Sequence, residues 1–77
     1  MNAHAATPNA VLADRASRLG RLHPPRTPGR RAAAMAHAAL ATSRTPEAAR
    51  RALETFGHPA VRHSAAMLLD QACREDT

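Results

Sequence analysis

Hydrophobic positions recur at helical spacing in four stretches of the chain, and a residue pair ending in proline opens each stretch. The pairs are Thr7-Pro8, Thr27-Pro28, Thr45-Pro46 and His58-Pro59. A threonine side chain accepts a hydrogen bond from a free amide of the first helical turn, and proline has no amide hydrogen to leave unpaired there. The pattern predicts four helices, at 8–22, 29–43, 46–56 and 59–74.

The last two predicted helices have the clearest amphipathic pattern. The apolar stripe of the fourth helix contains Val61, Ala65, Leu68, Leu69 and Ala72, which share one face at helical spacing. The third helix ends at Phe56, and Gly57 follows where a left-handed C-cap residue is expected. Together these helices predict a C-terminal helical hairpin.

The first two predicted helices are less regular. The apolar arc of the first contains Val11, Leu12, Ala16, Leu19 and Leu22. Arg15 falls inside this arc, and Gly20 weakens the last turns. The second helix is apolar nearly all round and rich in alanine, which predicts a buried central element. Residues 23–28 contain three prolines and predict an extended linker.

The predicted fold is all-α, a small bundle of about four short helices. It forms a single domain over residues 8–77, preceded by a flexible tail at 1–7. Phe56 is the only aromatic residue of the 77, and alanine supplies most of the hydrophobic fraction. Chains of this length bury only about 60% of their unfolded surface. We therefore expect self-association or docking on another protein.

Positive charge is concentrated in the N-terminal half. The formal net charge is +5, every basic residue is arginine, and no acid interrupts the run from 15 to 31. The arginines of this run are Arg15, Arg18, Arg21, Arg26, Arg30 and Arg31. One interpretation is a patch that binds phosphate or carboxylate. The other is a solvated surface in a chain whose arginine content reflects codon usage.

The sequence contains no recognisable catalytic or cofactor signature. No two of its five histidines have the i,i+3 or i,i+4 spacing of helical metal ligands. Cys73 has no evident base beside it, and a single cysteine cannot form an internal disulfide. We therefore expect no enzyme activity, no cofactor, no metal and no small-molecule substrate. No apolar run is long enough to span a membrane, and we expect a cytoplasmic protein.

The segment Pro-Ala-Val-Arg-His-Ser-Ala-Ala-Met-Leu-Leu at 59–69 resembles the second helix of a HEAT-type repeat. The matching positions are Pro59, Val61, Arg62, Ala65, Ala66 and Leu69. The preceding helix would supply the first half, so the resemblance covers residues 46–73. It implies a short helical scaffold for protein contacts and no chemistry.

Two function classes follow from these patterns. The first is a non-enzymatic accessory or regulatory protein that acts by protein contact. Its interface candidates are Met35, Leu40, Arg62 and Met67. The second is a basic nucleic-acid-binding protein, in which residues 59–72 form the recognition helix of a helix-turn-helix. The lack of aromatic residues near the arginines argues against stacking on single strands.

Overall fold

The computed structural model describes residues 7–55 and 58–74. These residues form four helices, with no strand among them, which confirms the predicted all-α bundle. The helices are α1 (Asn9–Gly20), α2 (Pro28–Ala41), α3 (Pro46–Leu53) and α4 (Pro59–Arg74). The predictions for residues 1–6, Phe56 and Gly57 lie outside the described residues.

The helix starts follow the threonine-proline pairs in two of three cases. Thr27 Oγ1 accepts the amide of Arg30 at 3.3 Å, and Thr45 Oγ1 accepts the amide of Ala48 at 3.1 Å. In α1 the N-cap position belongs to Pro8, whose ψ of 144° is extended, and no side chain caps this helix. The helix therefore begins one residue later than predicted.

Asn9 fixes the start of α1 to the loop between α2 and α3. Its side chain is buried, and Nδ2 donates to the Ser43 carbonyl oxygen at 2.8 Å. Its Oδ1 atom is also buried and accepts no hydrogen bond. A buried polar atom without a hydrogen bond is destabilising. The Asn9 side chain therefore fixes the position of α1, but its unpaired Oδ1 atom lowers the stability of the fold.

Helix α2 lies at the centre of the bundle and packs against each of the other helices. Its inward face consists of small residues and one leucine, namely Ala32, Ala33, Ala36, Ala39 and Leu40. Small side chains let neighbouring helices approach closely, so this face is used inside the chain. The prediction of a central α2 is confirmed, and Leu40 belongs to the core rather than to a surface.

Gly20 is the last residue of α1 and lies against α2. A Cβ atom built on Gly20 would lie 2.5 Å from the Cβ of Ala33. That distance is far shorter than a van der Waals contact. The two helices can therefore pack this closely only because Gly20 has no side chain. The sequence pattern indicates only a weakened helix end at Gly20, whereas the structure gives this glycine a packing role.

The C-terminal hairpin is held by a core stripe and by two polar contacts. The predicted stripe of α4 is buried, including Val61, Ala65 and Leu69. The guanidinium of Arg50 on α3 forms an ion pair with Asp70 on α4. Arg62 Nη1 donates to the Glu54 carbonyl oxygen at 3.1 Å. Arg62 therefore contributes to the hairpin itself.

The segment between α1 and α2 is a series of turns rather than the predicted extended linker. The amide of His23 donates to the Gly20 carbonyl oxygen at 3.0 Å, and Thr27 Oγ1 donates to the Pro24 carbonyl oxygen at 2.7 Å. Arg26 adopts a φ of 68°, in the left-handed region, which is unfavourable for residues other than glycine. These turns reverse the chain, so α2 runs back along α1.

None of the helices in the described part of the chain has the length and hydropathy needed to cross a membrane.

Candidate functional site

The structure divides the six arginines of the predicted patch into two groups. Arg15 is half-buried, and its Nη1 donates to the Ala72 carbonyl oxygen at 3.3 Å, in the last turn of α4. Carbonyl groups there lack helical partners, so Arg15 helps to cap α4. Arg18 Nε lies 3.3 Å from Asp14 Oδ2 on the outer face of α1. Both guanidinium groups have partners within the protein.

The other four arginines lie on the segment that leads from α1 into α2. We call residues 21–31 the basic end. Arg21, Arg26 and Arg31 are exposed, and Arg30 is half-buried. No acidic residue occurs between positions 15 and 31. The basic end therefore carries a concentrated positive charge, and such a surface attracts anions.

One cavity, the arginine cleft, lies between the end of α1 and the start of α2. Its volume is about 270 Å³, and its lining residues are Ser17, Gly20, Arg21, Arg30, Ala33 and Ala34. Arg30 Nη1 donates to the His23 carbonyl oxygen at 3.1 Å, which restrains its guanidinium at the cleft. The cleft therefore joins two cationic side chains to a floor of small residues.

A second cavity, the methionine cleft, lies between the basic end and α4. Its volume is about 210 Å³, and its lining residues are His23, Gly29, Ser64, Met67, Leu68 and Gln71. The imidazole of His23 packs so closely over Gly29 that a Cβ atom on residue 29 would clash with Nδ1. Leu68 is buried, whereas 58% of the Met67 surface is exposed. This cleft is thus mainly apolar.

Two large apolar side chains are exposed at these clefts or beside them. Leu22, in the basic end, is 78% exposed, and Met67 lines the methionine cleft. The sequence pattern assigned Leu22 to the apolar arc of the first helix. That prediction is wrong because α1 ends at Gly20 and the chain turns away before Leu22 can join the arc. Val11, from the same arc, is 40% exposed.

The predicted interface residues have different surroundings. Met35 is half-buried against the core, Leu40 is fully buried, and Arg62 bonds the Glu54 carbonyl oxygen. Leu40 therefore cannot serve as a surface contact. Among these candidates, Met67 presents the largest apolar surface.

Ser17 and His37 form a polar contact between α1 and α2 that the sequence reasoning missed. His37 Nδ1 lies 2.9 Å from Ser17 Oγ and 2.9 Å from the Ala13 carbonyl oxygen. A carbonyl oxygen only accepts, so Nδ1 must carry the hydrogen for this bond to form. Nδ1 then cannot take a proton from Ser17. The pair therefore does not have the arrangement of a nucleophile and its general base.

This geometry predicts the tautomer of His37. We expect the neutral imidazole to hold its hydrogen on Nδ1, because Ala13 and Ser17 both offer oxygen acceptors there. The long-range ¹⁵N–¹H correlation spectrum of the imidazole distinguishes the two tautomers directly. His63, exposed on α4, provides an internal comparison. A spectrum showing hydrogen on Nε2 of neutral His37 would contradict the assignment.

The other candidate chemistry is sparse. The described residues contain no group of three or more histidine, cysteine or acidic side chains that could hold a metal ion. Cys73 is half-buried and packs against the core. Helix α4, predicted as a recognition helix, presents mainly neutral residues: its exposed members are Pro59, Ala60, His63, Met67, Gln71 and Arg74. The described cationic surface therefore lies at the basic end rather than along α4.

Comparison with protein-family models, curated proteins and solved structures finds no match to this chain. The resemblance of residues 46–73 to a HEAT-type hairpin therefore remains an expectation from sequence.

Proposed function

We propose that this chain is a non-enzymatic interaction protein that docks an acidic, partly apolar segment of another protein. The supporting observation is the coincidence of charge and exposed apolar surface at the basic end. Leu22 lies within it, and His23 and Gly29 share a cleft with Met67. The four arginines of the basic end belong to the same segment as Leu22, His23 and Gly29. An accessory or regulatory subunit in the cytoplasm is the role we propose for such a chain.

The arrangement fits the known anatomy of protein interfaces. Binding energy is concentrated in a few side chains that fill pockets, while charged residues at the rim speed association and exclude wrong partners. Leu22 and Met67 supply apolar contact area, and the methionine cleft offers a recess for a partner's side chain. Arginine is enriched at interfaces because its planar guanidinium binds carboxylate in a bidentate manner.

The inward face of α2 is not available as a docking surface. Its residues Ala32, Ala33, Ala36 and Ala39 are buried against the other helices. A second copy of this chain is also disfavoured at the basic end, since two such ends repel each other. An acidic partner has the complementary charge.

The alternative is nucleic-acid binding through the same arginines. Three of them are exposed, and phosphate binding by arginine needs no particular base sequence. The two proposals make different demands on the apolar residues. A protein partner uses Leu22 and Met67, whereas duplex DNA depends on the arginines alone.

Binding to defined probes separates these proposals. The probes are a fluorescent peptide of alternating glutamate and leucine, the same peptide with serine in place of leucine, and duplex DNA. We expect only the leucine-containing peptide to bind at about 150 mM salt, where screening is strong. Both Leu22→Asp and Met67→Asp should weaken it by roughly tenfold or more. Val11→Asp is the matched control, because Val11 is exposed outside the basic end.

Three outcomes would overturn the protein-docking proposal. The first is equal binding of both peptides. The second is an equal loss in all three aspartate variants. The third is tighter, salt-dependent binding of DNA that Met67→Asp leaves unchanged, which would favour the nucleic-acid alternative. Affinity capture from lysate with and without nuclease then tests the same distinction with natural partners.

A further inference from the structure

We propose that the arginine cleft binds a dianionic phosphomonoester group. This goes beyond the proposed function, which requires the net charge of the basic end and its exposed apolar residues but no specific anion site. The site consists of Arg21, Arg30 and Ser17 around a floor of small residues. Each proposal can therefore fail without the other.

The charge of the cleft matches a doubly charged ligand. Arg21 and Arg30 each contribute one positive charge, and no acidic residue lines the cavity. Asp14, the nearest acid in sequence before Ser17, is already paired with Arg18. One carboxylate would neutralise only half of this charge, whereas a phosphomonoester carries close to two negative charges at neutral pH.

Arg30 is restrained before any ligand arrives. A Cβ on Gly20 would lie 3.8 Å from Arg30 Cδ, so the aliphatic part of this side chain runs beside Gly20. Its Nη1 atom donates to the His23 carbonyl oxygen at 3.1 Å. Restraint of a long side chain in advance lowers the entropy lost on binding. The rest of the guanidinium can donate to phosphate oxygens in a bidentate manner.

Ser17 offers a hydroxyl donor on the wall formed by α1. Because His37 Nδ1 donates its hydrogen, the Ser17 oxygen acts as an acceptor in that contact, 2.9 Å away. The hydroxyl hydrogen remains for a ligand in the cleft. The first amides of α2 contribute less, since those of Arg30 and Arg31 already bond Thr27. The site therefore depends on side chains.

The space suits a tetrahedral group that approaches the helices closely. The cavity of about 270 Å³ is larger than a phosphate ion needs, so part of a phosphorylated molecule can enter with it. Gly20 and Ala33 are buried and form a floor with almost no side-chain bulk. Ala34 is exposed at the edge of the cleft, which makes it a convenient position for testing the site.

The test is a titration of the full chain with inorganic phosphate at constant ionic strength. Backbone amide chemical shifts, measured by NMR, report binding at each residue. We expect saturable shifts at residues that line the arginine cleft, and none with chloride. Arg21→Gln and Arg30→Gln should each weaken binding by roughly tenfold, because a charged hydrogen-bonding partner is lost. Arg31→Gln removes the same charge from an exposed neighbour outside the cleft, and should change affinity by less than about twofold.

A second pair of variants leaves every arginine in place. Ala34→Glu puts a carboxylate at the edge of the cleft and should abolish phosphate binding. Ala38→Glu is its control, because Ala38 is exposed one turn further along α2 and does not line the cavity. Both changes keep a good helix former on the outside of α2, so circular dichroism should show unchanged folding. Equal losses in these two variants, or in the three arginine variants, would overturn the proposal.

The source of the phosphomonoester is decided by comparing probes. Phosphoserine and glucose 6-phosphate represent free metabolites, and a short phosphoserine peptide represents a modified protein. Tighter binding of any of them than of inorganic phosphate supports the site and identifies its source. If none of them, nor phosphate, gives saturable shifts at the cleft, the proposal is wrong.

Discussion

We expect Leu40→Ala to lower the free energy of unfolding by about 3 kcal/mol, near the middle of the range for a fully buried leucine. Leu40 has no exposed surface and lies in the central helix, in a core that consists largely of alanine. An alanine side chain has no alternative rotamer that could fill the space left by the leucine. Urea denaturation followed by circular dichroism measures the loss. Such a loss is a large part of the total stability of a small domain.

Leu22→Ala is the control for this experiment. It removes the same atoms from a side chain that is 78% exposed, so we expect a change below about 0.5 kcal/mol. If the two variants lose similar stability, the central position of α2 is wrong. A small change would also mean that the Leu22 side chain contributes little to folding, so effects of Leu22 variants on binding could be separated from effects on stability.

We expect Gly20→Ala to lower the free energy of unfolding by about 1 kcal/mol, although alanine is the better helix former. The new methyl group would lie 2.5 Å from Ala33 Cβ, so α1 and α2 must separate. Overpacking of this kind costs about 1–3 kcal/mol, and the helix propensity of alanine returns about 1 kcal/mol at most. Thermal and urea unfolding both measure the effect.

Ala33→Gly tests whether the contact causes the loss. In the double variant, the methyl group of residue 20 occupies the space that residue 33 vacates. We therefore expect the double variant to be more stable than the sum of the two single changes implies, by about 1 kcal/mol or more. Strict additivity would mean that the cost of Gly20→Ala arises elsewhere.

Local rules were sufficient to predict the helices. Thr27 and Thr45 cap the turns that follow them because the threonine-proline pair acts within four residues. The buried stripe of α4 follows from its own spacing, so Val61, Ala65 and Leu69 were predicted without knowledge of the other helices. These features depend on short stretches of chain.

The candidate site depends on distant residues, and the sequence pattern therefore missed most of it. Arg15 belongs to the arginine run by position, but its guanidinium bonds a carbonyl 57 residues away. Leu22 continues the apolar arc in sequence, yet α1 ends at Gly20 and the chain turns before Leu22 can join the arc. The contact between Ser17 and His37 likewise depends on how α1 packs against α2. Periodicity along one helix contains no information on these contacts.

The close contact of α1 with α2 also has a consequence for how this protein can evolve. Gly20 and Ala33 form both the helix interface and the floor of the arginine cleft. A mutation that changes the shape of the floor therefore also disturbs the packing of α1 against α2, and selection for a stable fold acts against it. Ala34 borders the same cleft from the solvent side and is free of that constraint. New ligand preferences should therefore arise at the rim of the cleft, while its floor diversifies only through paired changes.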